Sequence, residues 1–416
     1  MSSQDEAFPA IGDADETLKF LNADHRASAI RRLLSRLAVG ELRVTLPGGA
    51  ALNFSGERPG LSAMIALRRW RALRRVLFGG DIGFAEGYVD GDWTTNDLVS
   101  LIRLALGNFD ALDAAMRGSA VFRLTNRLRH WLRPNSRGGS RANIISHYDL
   151  GNDFYRLWLD PRMVYSSAIY DGDMDLEAAQ ARKLERVGSL LDCRPGARVL
   201  EIGCGWGALA EHLARAHGAD VTALTLSPSQ LRWAKESAAA HGVADKIDYR
   251  LQDYRDVQGA YDRIVSIEMI EAVGEAWWPT YFGALMRRLA PDGRAVIQAI
   301  TIADERYPAY RQAPDFIQKH IFPGGFLPSK SALREQVALA GLRIAASEAF
   351  GESYARTLAA WRRQFHARWR DIAAQGFDDR FRRLWDYYLA YCEAAFAEGA
   401  VDVGLYTLEP AASARA

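Results

Sequence analysis

Beyond residue 196 the chain alternates short apolar runs with stretches of helical period. ARVLEIG, ADVTALTL, KIDYRLQ, YDRIVSIEM and GRAVIQAITI each read as a strand. Helical segments between them return the chain to begin each strand in the same sense, which predicts parallel crossover units. Two later runs, LRIAASEAF and VGLYTLEP, are separated by a long helical region from Tyr354 to Glu398. Together these runs predict an α/β fold with a seven-stranded sheet.

Upstream the pattern differs. ASAIRRLLSRLAVG has helical spacing, and ELRVTLPGGAALNFSG alternates as two strands about a Pro-Gly-Gly turn. LRRWRALRRVLFGG and FAEGYVDGDWTTNDLVSLIRL return to a helical period. This predicts a smaller N-terminal α+β domain over residues 17–116, behind a disordered tail of residues 1–16. Residues 117–142 read as a basic linker: from Arg117 to Asn143 the chain holds seven arginines and no acid, interleaved with apolar side chains. Such a stretch is either a solvated connection or an amphipathic surface for anionic lipid headgroups. The seven-stranded domain then spans residues 143–410.

Composition adds bounds. With 416 residues, 49% of them hydrophobic, the chain can build two cores. Its net charge of +1 gives no bulk attraction to nucleic acid, and no nucleic-acid partner is expected. Cys193, Cys204 and Cys392 are scattered, with neither metal-ligand spacing nor a disulfide framework, so no metal is expected and a reducing compartment is. The acidic start MSSQDEAFPAIGDADE lacks an apolar core, and no run reaches the ~18 apolar residues of a membrane span. The expectation is a cytoplasmic protein.

VLEIGCGWGALAEHL joins a strand to a helix through Gly203, Gly205 and Gly207. Glycine there lets the backbone approach a ligand closely. The spacing departs from the dinucleotide fingerprint, and no Gly-Lys-Ser/Thr ending marks a phosphate loop. Glu201, just ahead of the turn, would repel a pyrophosphate and suits a ligand with an amino group or positive charge. S-adenosylmethionine has both and no phosphate. TLSPSQ offers Thr225, Ser227 and Gln230 to its ribose, and QDY offers Asp253 to the adenine amino group. These positions follow successive strands, at the edge where open α/β sheets gather ligands.

Longer stretches carry a more specific signal. GYVDGDW, ISHYDLGNDFYRLWLD, VYSSAIYDGD, VLEIGCGWG, TLSPSQ, DRIVSIEMIEAVG, HIFPGGFLPS, SYARTLAAW and RLWDYYLAYCEAAF together resemble the cyclopropane-fatty-acyl-phospholipid synthase family, which includes the mycolic acid cyclopropane synthases. The resemblance implies a class I S-adenosylmethionine methyltransferase (Rossmann-like) domain behind an N-terminal lipid-engaging domain. It implies transfer of a methyl(ene) carbon from S-adenosylmethionine to a cis double bond of phospholipid-bound unsaturated acyl chains, closing a cyclopropane ring. It also implies a peripheral enzyme at the inner face of the cell membrane, associating as a homodimer. For the cofactor, it places Tyr165 and Ser166 at the methionine end, Thr225 and Gln230 at the ribose, and Asp253 with Tyr254 at the adenine.

The chemistry constrains residue types. Methylating an alkene leaves a carbocation, which aromatic faces stabilise by about 2 kcal/mol or more each when desolvated. Tyr148, Tyr155, Tyr165, Tyr170, Trp206, Tyr354 and Trp361 are candidates, with ordinary core packing as the plain alternative. A base must then remove a proton. The resemblance implies bicarbonate, held by a set that falls on Ser167, Glu271, Gln298, Ile300 and Tyr354, with Glu271 central; His147 also matches a family position. Ser167 stands where the family has cysteine and Gln298 where it has histidine. Glutamine donates to an anion but shuttles no proton. Either bicarbonate still binds and the ring closes, or the cation resolves to a methyl-branched, methylene or methylated unsaturated chain. A lipid-binding protein without catalysis, and a small-molecule nitrogen or oxygen methyltransferase, are the outside readings.

Overall fold

The structure, a computed structural model, describes residues 25–109, 111–112, 150–312 and 314–411. His147, Tyr148, the tail of residues 1–16 and the basic linker of residues 117–142 lie outside the described residues. The chain divides into two compact units, Met1–Trp131 with Asp378–Ala394, and Leu132–Phe377 with Ala395–Ala416.

In the first unit, helix α1 (His25–Leu34) precedes strands β1 (Val39–Thr45), β2 (Ala51–Ser55) and β3 (Arg58–Leu67). Helix α2 (Arg71–Val89), the two-residue strand β4 (Trp93–Thr94) and helix α3 (Leu98–Gly107) follow. The sheet order is β2-β1-β3-β4. The Pro-Gly-Gly stretch closes the β1–β2 hairpin, as its pattern predicts, with Gly49 at φ 86° and its N–H on the Leu46 carbonyl. Inward positions of β1 alternate, so Leu42, Val44 and then Leu46 enter the core. Asp97 caps α3 by accepting from the Ser100 N–H at 3.0 Å. At the other end of α3, Asn108 accepts from the N–H groups of Ala38 and Val39 and donates to the Val39 carbonyl. That one amide ties α3 to the first strand.

In the second unit, helix α4 (Leu176–Leu191) leads into β5 (Arg198–Ile202), helix α5 (Ala208–His217), β6 (Asp220–Thr225), helix α6 (Pro228–Ala240), β7 (Ile247–Leu251) and β8 (Tyr261–Ile267). Helix α7 (Trp278–Arg288), β9 (Leu289–Ile302), helix α8 (Lys330–Leu339), β10 (Leu342–Ala349), helix α9 (Gly351–Ala367), helix α10 (Asp379–Ala397) and β11 (Val401–Pro410) complete it; α10 belongs to the first unit through Ala394. The sheet order is β10-β11-β9-β8-β5-β6-β7. All seven strands are those read from the sequence. β5 to β9 are parallel, while β11 runs antiparallel between β9 and β10.

Strands covered on both faces must be apolar on both. Val199 and Val265 accordingly join the core beneath α4, α5 and α6, while their neighbours Leu200 and Ile264 join the core beneath α7 and α8. Each large apolar side chain sealed this way contributes roughly 1.5–3 kcal/mol. Strand order reverses at β5, whose neighbours are β6 and β8. Open α/β sheets bind ligands outside the carboxyl ends at such a switch point.

Candidate active site

The glycine turn leaves β5 at that point. The N–H groups of Gly203 and Cys204 donate to the Leu224 carbonyl at 3.0 and 2.8 Å, pinning the turn to the end of β6. Gly207 has φ 93°, and a Cβ there would lie 2.5 Å from the Tyr249 hydroxyl, so only glycine fits. Gly205, at φ 55°, faces open space. Cys204 is buried, which raises its thiol pKa and leaves it a small packing group.

Glu201 is buried at the end of β5, and its Oε2 has no hydrogen-bond partner. Burial pushes its carboxyl up to about 8, with Lys183 opposing. An orphaned buried carboxylate oxygen beside an open glycine turn fits a ligand bearing an amino group. Tyr165 and Ser166 lie on the loop ahead of α4. Ser166 Oγ accepts from the Lys183 ammonium at 2.8 Å, and its carbonyl accepts from the Gln180 amide at 2.8 Å. Burial lowers Lys183 to about 8, against the fields of Glu268, Asp160 and Glu201.

After β6, Thr225 donates to the Gln230 side chain at 2.9 Å, while the Ser227 hydroxyl caps α6 at the Gln230 N–H. Thr225 thus positions Gln230. Asp253 is gripped by the Arg255 guanidinium at 2.8 and 2.6 Å, which fixes its orientation. Tyr254 beside it packs edge-on against Tyr281, and burial pushes its hydroxyl up to about 12.

A dry aromatic cluster adjoins the turn. Tyr155, Trp158 and Trp361 are fully buried, and Tyr165 packs against all three at 5.3 to 5.6 Å between ring centroids. Trp206 joins through Tyr155, and Tyr354 through Trp361. Tyr165 is the half-buried member. Tyr170 stands apart beneath the Arg356 guanidinium. Helix α9 presents Tyr354 and Trp361 on one face, and its Ser353 and Thr357 accept from the N–H groups of Tyr170 and Ala168.

The proposed base set is brought together, but around a residue that the sequence reading left out. Glu268 Oε1 accepts from the Ser167 N–H at 2.8 Å and the Gln298 amide at 2.6 Å; Oε2 accepts from the Tyr354 hydroxyl at 2.6 Å. Glu271 instead accepts from the Ile300 N–H at 2.6 Å, and its Oε2 is buried without a partner. Burial, then the neighbouring Glu268, pushes Glu271 up to about 8. Ser167 enters through its backbone N–H. Its hydroxyl donates instead to the Ala168 carbonyl at 2.9 Å. Of the FPGG insertion, Phe326 donates its N–H to the Glu271 carbonyl at 2.7 Å, tying that segment to the site.

Three buried polar residues join Glu268 among those the sequence reading missed: Asp160, Gln180 and Lys183. The last two sit among Ala179, Leu184 and Val187 on the buried face of α4, where the helical period calls for apolar side chains. Polar residues on that face were the available signal.

The family model described as mycolic acid cyclopropane synthetase matches residues 136–405. The chain belongs to this family. It is 39% identical over 92% of its length, and 91% of the relative's, to the tuberculostearic acid methyltransferase UfaA1 of Mycobacterium tuberculosis. It is 35% identical to the cyclopropane-fatty-acyl-phospholipid synthase of Escherichia coli K12, over 83% of this chain and 87% of that one. A crystal structure of mycolic acid cyclopropane synthase CmaA1 complexed with SAH and CTAB superposes with a TM-score of 0.61 at 30% identity, covering 67% of this chain and 99% of that one. The protein is therefore an S-adenosylmethionine-dependent methyltransferase of the cyclopropane synthase family, and its seven-stranded domain has the class I methyltransferase fold.

Proposed function

We propose that the protein adds a methyl carbon to a cis double bond of a phospholipid-bound unsaturated acyl chain. The carrying observation is the aromatic cluster of Tyr165, Trp361 and Tyr354 ending on a carboxylate, Glu268, that bears donors on both oxygens. S-adenosylmethionine supplies an electrophilic methyl group when bound. Glu201, the glycine turn, Tyr165 and Gln230 hold it. Alkene attack leaves a cation on the neighbouring carbon, and ring faces in a dry site stabilise it without trapping it. Loss of a proton then ends the reaction.

Two observations favour an open, methylated product over a ring. Gln298 stands where the resemblance puts a histidine able to carry a proton, and the relative matched over 92% of this chain is named a methyltransferase. Ring closure is the second reading, supported by the Escherichia coli synthase. Mild hydrogenation of the product acyl chains, under conditions that spare a cyclopropane, decides. A methylated alkene or a methylene chain takes up hydrogen; a ring does not, and a cyclopropane surviving the treatment would reverse the preference.

For the membrane, we assign lipid contact to the first unit. Leu77 and Phe78 on α2 are exposed at 39% and 51%, close in sequence to the exposed Arg68, Arg69 and Arg74. Apolar tips beside basic residues suit an anionic lipid surface. Among the described residues no helix is long and apolar enough to cross a membrane.

A further inference from the structure

We propose that Glu268 is the proton acceptor of the reaction, a carboxylate of the chain itself standing where the family resemblance puts bicarbonate. This rests on the methyl-transfer reading above.

A carboxylate and a bicarbonate present the same planar oxygen fork to hydrogen-bond donors. The resemblance assigns four donors to the anion: Ser167, Gln298, Ile300 and Tyr354. Three of them converge on Glu268, and the fourth, the Ile300 N–H, is taken by Glu271. A bicarbonate here would meet two carboxyl groups and no unspent donor of the set. The residues do not fit that anion, and Glu268 supplies what it would have supplied.

The backbone at Glu268 carries a second sign of a selected position. Its φ is +47°, in the left-handed region that costs a non-glycine residue ~1–2 kcal/mol. Non-glycine residues persist there when their surroundings over-determine them, and such residues cluster at working sites. The surroundings do so here by reciprocal bonds. The Glu268 N–H donates to the Gln298 carbonyl at 2.9 Å, while the Gln298 amide donates to the Glu268 carboxylate. Burial raises the carboxyl pKa and makes it a stronger base than an exposed glutamate; Tyr354, Ser167, Lys183 and Gln298 oppose that shift and favour the ionised form. Gln298 then has a role that needs no proton shuttling: it aims the base.

With the methyl carbon on the acyl chain, one C–H bond breaks: on a carbon next to the cationic centre for an alkene, or on the added methyl for a ring. Its electron pair becomes the new carbon–carbon bond, either π or ring σ. The proton goes to Glu268 Oε2, which carries one donor where Oε1 carries two.

The test uses the full-length protein, labelled S-adenosylmethionine and vesicles of unsaturated phosphatidylglycerol, in buffer stripped of carbon dioxide and in buffer with added bicarbonate. The wild type is expected to add carbon at the same rate in both. Glu268→Gln should lose at least about 100-fold in rate while binding the cofactor normally, the scale of a missing general base. Glu268→Gly relieves the backbone strain and leaves room for an anion, so its loss should be recovered by bicarbonate or acetate. Wild-type activity that vanishes in stripped buffer and returns with bicarbonate overturns the assignment alone, as does full activity of both variants in stripped buffer. A wild type that adds carbon to no lipid in either buffer overturns the methyl-transfer reading and this assignment with it.

Discussion

Glu268 and Glu271 stand three residues apart and are held by different partners, and the difference has a consequence for stability. Glu271 has one oxygen on the Ile300 N–H and the other buried without a partner, and its pKa rises from 4.5 to about 8. The folded chain therefore keeps a proton that the unfolded chain releases between those values. More protons on the folded state means stability falls as pH rises through that window. Glu271→Gln keeps an acceptor for Ile300 and removes the titration. Its melting temperature should exceed that of the wild type by a margin that grows from about pH 5 to about pH 8. Parallel melting curves across that range would show that Glu271 does not carry the shift. At this scale the sequence was legible where residue type alone decides. Gly207 has to be glycine, and the turn was legible on that ground. Glu268 was not, because its role comes from a left-handed backbone and from donors on β9, α9 and the Ser167 loop, up to 101 residues away in sequence. The Ser167 hydroxyl turned to Ala168 shows the same limit: side-chain type does not reveal that the backbone N–H does the binding.

Elements were more legible than contacts. Covered strands such as β5 and β8 make near-continuous apolar runs, and all seven strands of the large sheet were legible, the partly exposed edge strands β7 and β10 included. β3 was missed in the smaller sheet because Arg58-Pro-Gly breaks the start of its alternation, yet it pairs parallel with β1 across a register shift. Helix α2 was read as helical, but its interruption at Gly80, with φ 58° and ψ −136°, was not. Leu77 and Phe78 lie just before that break, and their exposure motivates a membrane test. Leu77→Asp with Phe78→Asp removes apolar contact and adds negative charge near exposed arginines. The pair should weaken binding to anionic vesicles by about tenfold or more, since ~1.4 kcal/mol already gives a factor of ten and each buried apolar side chain is worth at least that. Cofactor affinity should stay unchanged. Unaltered sedimentation with vesicles would assign lipid contact elsewhere in the chain.

At the scale of the whole molecule, long-range organisation was the least legible. Asp378–Ala394 groups with the N-terminal residues rather than with the sequence on either side of it, and no local period signals that. The proposed reaction draws on the second unit as a whole: a glycine turn at the switch point, an aromatic cluster, and Glu268 just past the end of β8. Methyl transfer to the acyl chain is the claim on which the rest depends. The most direct measurement supplies S-adenosylmethionine with a trideuterated methyl group and unsaturated phospholipid vesicles, then weighs the released acyl chains and the headgroups separately. A deuterated carbon is expected on the acyl chain at the former double bond. A methylated alkene keeps all three deuterons, whereas a ring or methylene keeps two. Label confined to the cofactor, or carried by the headgroup alone, would contradict it.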